Sequence, residues 1–341
     1  MTNRSNDAAE LVEVWRGDIL ESTHRGHAVI CRSDGEIVAQ WGAPEAIIYP
    51  RSSCKMLQAL PLIESGAADA AGLGTEQLAL SCASHKGALI HTERVSDWLG
   101  TLDLGESDLR CGNQFPTDGP EADRLRATGE GACQLHNNCS GKHAGFLTLN
   151  KHLGGGADYH EIDHPVQRMV KDAYEEMTGE TSPGFGIDGC SAPNHASSLH
   201  GFARAMARMA DPSSLGGVRG AAAERLVAAM RQHPLLVAGE GRACSEMMAA
   251  MPNATAIKTG AEAVFIAILP EQKLGVALKI EDGTTRGAEC AIAALLARLG
   301  VADPAHPMIA KRLTPTLRNW RGTVTGDIRP SVGLWADGAK L

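Results

Sequence analysis

Ser52 and Lys55 stand three residues apart in the run Tyr49-Pro50-Arg51-Ser52-Ser53-Cys54-Lys55. Apolar residues at helical spacing (Met56, Leu57, Leu60) follow at once, which predicts a helix opening near Ser52. Residues three apart on a helix share a face, so the Lys55 amine is expected beside the Ser52 hydroxyl. A serine hydroxyl is a weak nucleophile at neutral pH until a base takes its proton, and a lysine with a depressed pKa is such a base. The positive end of the helix favours the alkoxide that forms, and its backbone N–H groups are natural oxyanion donors. The chemistry this predicts is acyl transfer.

Two further segments fit the same pattern. Lys258-Thr259-Gly260 precedes the run Ala263-Val264-Phe265-Ile266-Ala267-Ile268-Leu269, which reads as a buried strand. Ser84 lies between the two motifs, in Ser81-Cys82-Ala83-Ser84-His85-Lys86-Gly87. An S-x-x-K motif, a serine-bearing loop and K-T-G, in that order, resemble the site of serine β-lactamases and penicillin-binding proteins. His85 and Lys86 stand where the S-D-N loop has Asp and Asn. The result is two couples, Ser52 with Lys55 and Ser84 with Lys258. Taken singly, each of these residues also has an ordinary reading as a helix-surface lysine, a loop serine or a solvated strand-edge lysine.

A second cluster carries soft ligands. In His136-Asn137-Asn138-Cys139-Ser140-Gly141-Lys142-His143, the positions 139, 142 and 143 share one helix face. Gly186-Ile187-Asp188-Gly189-Cys190 supplies another thiol and a carboxylate from a loop. Cys139 and Cys190 could bind Zn²⁺ as thiolates, with Lys142 or His143 and water completing the site. Buried free cysteines also serve simply as small hydrophobes, the reading given to Cys31, Cys54, Cys82, Cys111, Cys133 and Cys290. Asn137, Asn138 and Asp188 suit an α-amino acid, whose ammonium needs a carboxylate and whose carboxylate needs amides. Arg242, in Gly239-Glu240-Gly241-Arg242, is either a clamp for a substrate carboxylate or an exposed loop arginine.

Elements must bring these residues together. The 341 residues, 43% hydrophobic and 21% charged, can bury a large core. A formal net charge of −8 argues against nucleic acid and anionic membranes as partners, and no apolar run is long enough to span a bilayer. The polar N-terminus lacks a secretory h-region, and nine scattered cysteines fit reduced thiols, so a cytoplasmic protein is expected. Residues 1–9 read as a frayed tail and 10–341 as a single domain. Strands are predicted near 11–15, at 28–32 and 36–41 around the Ser33-Asp34-Gly35 turn, and at 263–269 and 274–280. Helices are predicted over 52–65, 75–84 with Thr75 as cap, 91–100, 140–153, 164–178 with Asp163 as cap, 196–210, 216–232 and 286–299. The stretch 101–138 reads as irregular. The expected architecture is α+β: an antiparallel sheet from both chain ends (10–50 and 250–335), a central helical lobe (51–249), and a cleft where helix start and strand edge converge.

Taken together, Pro50-Arg51-Ser52-Ser53-Cys54-Lys55, Ser84-His85, Cys139-Ser140-Gly141-Lys142-His143, Asp188-Gly189-Cys190 and Lys258-Thr259-Gly260-Ala261-Glu262 resemble the L-asparaginase II family, the rhizobial-type class with a serine β-lactamase-like fold. The resemblance runs from about residue 10 to 335. It implies hydrolysis of L-asparagine to L-aspartate and ammonia by two serine–lysine tandems, Ser52 with Lys55 and Ser84 with Lys258. It implies a zinc ion held by Cys139, Lys142 and Cys190, and a substrate pocket shaped by Arg51, Asn138, His143, Asp188, Arg242 and Glu262. Homodimers are implied as well. The readings left standing are another Ser-Lys acyl hydrolase of the same fold (a β-lactamase, esterase or peptidase), or a non-catalytic zinc- or small-molecule-binding protein.

Overall fold

The computed structural model describes residues 7–251 and 255–341. The expected tail lies, up to residue 6, outside the described residues, and Ala9 already opens the first strand. The chain divides into two compact units, one formed by Met1–Ser53, Ser197–Asp211 and Glu246–Leu341, the other by Cys54–Ala196 and Pro212–Ser245.

The first unit is built on an eight-stranded sheet. Its strands are β1 (Ala9–Arg16), β2 (Ile19–Cys31), β3 (Ile37–Trp41), β4 (Ala256–Thr259), β5 (Val264–Leu269), β6 (Leu274–Ile280), β7 (Thr316–Arg318) and β8 (Val324–Pro330). They run in the order β7-β8-β1-β2-β6-β5-β4, with β3 also on β2, and every pairing is antiparallel. Both ends of the chain thus contribute to one sheet, and the architecture is α+β, as the sequence predicts. β2 is long enough to pair twice, with β1 through Ile19–Gly26 and with β6 through Gly26–Cys31. A Cβ at Gly26, where the two ladders meet, would fall 2.2 Å from the Lys279 carbonyl oxygen, so only glycine fits.

β5 is buried along its whole length, and β6 is buried except at Lys279. Such continuous burial needs cover on both faces, and the helices Leu199–Ala210 and Thr285–Arg298 supply it. The first of these comes so close that a Cβ on Gly275 would meet Ala207 N at 2.1 Å and Ala203 O at 2.3 Å. Each fully buried Val, Leu, Ile or Phe in this layer contributes roughly 1.5–3 kcal/mol relative to exposure.

The second unit is helical. Helix Ser140–Leu153 is buried from Ser140 to Asn150 and is packed by helices Thr75–Ser81, Leu89–Thr101 and Pro165–Thr178. Burial on all sides makes this a core helix even though it carries Lys142, His143 and Asn150. Two sequence expectations are corrected here. The single helix over 52–65 is instead a broken run, a 3₁₀ turn Arg51–Cys54 followed by Lys55–Gln58 and Leu60–Glu64. Pro61 has no N–H to donate back to Leu57, which interrupts the ladder. The irregular stretch 101–138 contains the helix Gly119–Thr128, capped by Asp118, whose carboxylate accepts from Glu121 N. Among the described residues no helix is long and apolar enough to cross a membrane.

Candidate active site

In the second unit, Lys55 is 1% exposed, and its Nζ donates to the Ala83 carbonyl, to Ser84 Oγ at 2.9 Å and to Asn138 O at 3.5 Å. Ser84 follows the helix Thr75–Ser81 and is anchored by its own N–H, which donates to Val237 O at 2.9 Å. The next residue locks the segment further. Gly87 N donates to His85 Nδ1 at 3.1 Å, so the imidazole proton sits on Nε2 and points to Ser140 Oγ at 3.0 Å. Ser140 in turn donates to Leu135 O. Helix Ser140–Leu153 reaches this segment because residue 141 is glycine. A Cβ there would lie 2.4 Å from Leu80 O, the end of the helix that leads into Ser84.

The soft-ligand cluster is assembled on the same helix start. Lys142 Nζ lies 3.0 Å from Cys190 Sγ, and the Cys139 thiol lies 2.9 Å from Asn138 Oδ1. Cys190 is presented by a tight turn: Ser191 N donates to Asp188 O, Gly189 N to the Asp188 carboxylate, and Ser191 takes a left-handed φ of +68°. A hydrogen bond from Cys139 holds the Cys190 thiol well below its ordinary pKa, with the Lys142 charge adding to the effect against burial. Cys139 moves up, because it is the donor to that thiolate and is itself buried. Burial opposes the charge on Lys142, yet the two sulfurs outweigh it and hold the amine protonated. No three His, Cys, Asp or Glu side chains converge as a metal site among the described residues. The donors that do converge are two sulfurs and an amine, a set suited to Zn²⁺ once metal binding strips the lysine proton.

His143 is fully buried beside the cluster. Arg110 N donates to the Tyr159 hydroxyl, which faces His143 Nδ1 at 2.8 Å. Burial, reinforced by the charge of Lys142, keeps this imidazole neutral. Its Nε2 is buried with no hydrogen-bond partner among the described residues.

The first unit holds the remaining predicted residues. Ser52 lies in the 3₁₀ turn Arg51–Cys54, entered through a left-handed Arg51 (φ +53°) and closed by Ser53 Oγ donating to Pro50 O at 2.6 Å. Lys258, fully buried at the end of β4, donates to Thr259 O at 2.9 Å. Gly260 docks that strand end on the Ser52 turn, since a Cβ there would meet Pro50 O at 2.5 Å and Ser53 N at 3.2 Å. Glu262 and Ala263 follow with positive φ values of +58° and +56°. Lys279 Nζ clasps the strained pair by donating to Glu262 O at 2.7 Å, and the Glu262 carboxylate packs over Gly283. Left-handed residues without glycine cost about 1 kcal/mol or more each, and such strain gathers at functional sites.

The candidate residues named from sequence spacing divide between the two units. Lys55, Ser84, Asn138, Cys139, Lys142, His143, Asp188, Cys190 and Arg242 belong to one unit, and Arg51, Ser52, Lys258 and Glu262 to the other. Each expected serine–lysine couple draws one member from either unit, and the hydroxyl on Lys55 within its own unit is Ser84. Tyr159, which orients His143, carried no motif; its only signal was being one of three tyrosines in the chain.

No curated protein matches the chain. Among solved structures, it is similar to a β-lactamase from Mycobacterium bovis, with 12% identity and a TM-score of 0.40 over 77% of this chain and 89% of that one. It is also similar to the octameric penicillin-binding protein homologue from Pyrococcus abyssi, with 15% identity and a TM-score of 0.38 over 87% and 80% of the two chains. The profile of the L-asparaginase II family matches residues 12–330, a span that takes in every motif from Ser52 to Glu262. With nearly its whole length matched, the chain belongs to the L-asparaginase II family.

Proposed function

We propose that this protein hydrolyses L-asparagine to L-aspartate and ammonia through an acyl-enzyme formed on serine. Membership of the L-asparaginase II family carries the reading, and the buried Lys55–Ser84 contact supports serine–lysine chemistry. In the proposed sequence Ser52 Oγ attacks the side-chain carboxamide carbon, and its proton passes to Lys55. The carbon–nitrogen bond then breaks, and ammonia leaves with a proton supplied through Ser84 and Lys258. Water attacks the resulting ester, gives up a proton along the same groups, and releases L-aspartate and free Ser52. Arg242 and Arg51 are assigned to the substrate α-carboxylate, Asp188 and Glu262 to its ammonium, and Asn138 and His143 to the pocket wall.

Zinc would be held by Cys139, Lys142 and Cys190, and when bound it supplies a fixed positive charge next to the pocket, aiding substrate binding more than bond cleavage. Because Cys139 and Cys190 are free thiols, a reducing compartment such as the cytoplasm suits them.

The test is ammonia release by the purified full chain supplied with L-asparagine, run beside nitrocefin hydrolysis. Ammonia release without nitrocefin turnover is expected, and Ser52→Ala is expected to lower kcat/KM by about a thousandfold or more. Nitrocefin turnover with no ammonia from L-asparagine would overturn the reading.

A further inference from the structure

Lys86 departs from the S-D-N pattern and has no part in the chemistry above, yet two segments, Thr117–Asp118 and Gly239–Glu240, meet on it. Its carbonyl oxygen accepts from Thr117 N at 2.9 Å and Asp118 N at 3.1 Å. Its Nζ donates to Glu240 O at 3.3 Å and stands 3.8 Å from Asp118 Oδ2. Its methylenes fill the space over Gly239, where a Cβ would come within 3.3 Å of Cγ and Cδ. Gly239 has φ +102° and Gly241 φ +75°, and the turn they form between helices Pro234–Ala238 and Ala243–Ala250 is closed by Arg242 N donating to Gly239 O at 3.4 Å. One end of that loop is pinned, because Ser84 N donates to Val237 O. The other end carries Arg242, a half-buried arginine whose guanidinium has no hydrogen-bond partner among the described residues.

We propose that Lys86 is a positioning residue of the substrate pocket: it latches the Gly239–Arg242 loop onto the Ser84 segment and thereby fixes where the Arg242 guanidinium meets a substrate carboxylate. The inference rests on the asparaginase reading and deepens it. An aliphatic stem over one glycine and an ammonium on the next carbonyl hold a loop at two points, which a shorter or uncharged side chain does not do.

Steady-state kinetics with L-asparagine on four forms test it: wild type, Lys86→Met, Arg242→Met and the double variant, with Lys86→Arg as the conservative control. Lys86→Met is expected to raise KM about fivefold or more with kcat within about twofold, since lost uniform binding shows in KM alone. Lys86→Arg restores most of the affinity, and the double variant is no worse than Arg242→Met, because the two residues act as a unit. Lys86 effects that multiply with those of Arg242, an unchanged KM in Lys86→Met, or a fall confined to kcat would each overturn the proposal. If wild type releases no ammonia from L-asparagine, the asparaginase reading itself falls and takes this inference with it. An active wild type with an indifferent Lys86→Met sinks the inference alone.

Discussion

At the scale of single residues, the second unit sorts its charges by hydrogen bonding. The Cys190 thiol is held well below its ordinary pKa by its contact with Cys139, and the charge of Lys142, whose Nζ lies 3.0 Å away, adds to the effect against burial. A thiolate already formed is a ready ligand for a soft divalent metal, and replacing it by a hydroxyl removes both charge and softness. The full chain purified without an affinity tag is therefore expected to retain about one equivalent of zinc by elemental analysis, and Cys190→Ser to lose most of it. Zinc retained undiminished in Cys190→Ser would remove that sulfur from the ligand set. Cys31 and Cys54 are inert for the opposite reason: burial pushes both thiols up to about 12.

At the scale of elements, glycines at close approaches decide which segments meet. Gly141 lets helix Ser140–Leu153 press on the end of helix Thr75–Ser81, with backbone in the place a Cβ would take. Backbone cannot swing aside as a side chain can, so Gly141→Ala is expected to cost about 1–3 kcal/mol in urea unfolding and to depress activity through the displaced Ser84 segment. Wild-type stability in that variant would show that the approach is not needed.

Motifs and strand periodicities were legible in the sequence because chemistry and burial leave short-range marks: S-x-x-K, K-T-G, the Ser33-Asp34-Gly35 turn and the apolar runs of β5 and β6. Helix Gly119–Thr128 was not, because Gly119 and Pro120 read as breakers although a proline in the first turn after an Asp cap starts a helix. Gly74, with the Gln77 side chain on its N–H, took the cap expected of Thr75, and His164 took that expected of Asp163. The first half of β2 escaped notice because Glu21, Ser22, Thr23 and His24 carry no apolar alternation. Of the four only His24 is buried, and their pairing comes from β1.

At the scale of the whole molecule, buried neutral histidines couple stability to pH. Burial holds His27, His91 and His195 below the usual imidazole range, with Glu281 opposing it at His27. Their folded pKa values lie below the unfolded one of about 6.5, so the unfolded chain binds more protons as the medium acidifies. Their contribution is complete above that value and is lost as pH falls toward the folded pKa values. The melting temperature is expected to drop between pH 7 and 5, ahead of carboxylate protonation. A flat or rising profile over that interval would contradict this account.

The ladder that joins Val12 to Pro330 and Val14 to Ile328 also has a consequence for biosynthesis. β1 pairs with β2 as soon as both are made, but its other neighbour, β8, is delivered about 310 residues later, and contacts so remote in the chain form slowly. A translation product that stops short of β8 therefore leaves the sheet that carries Lys258 unfinished, whatever its helical portion has achieved.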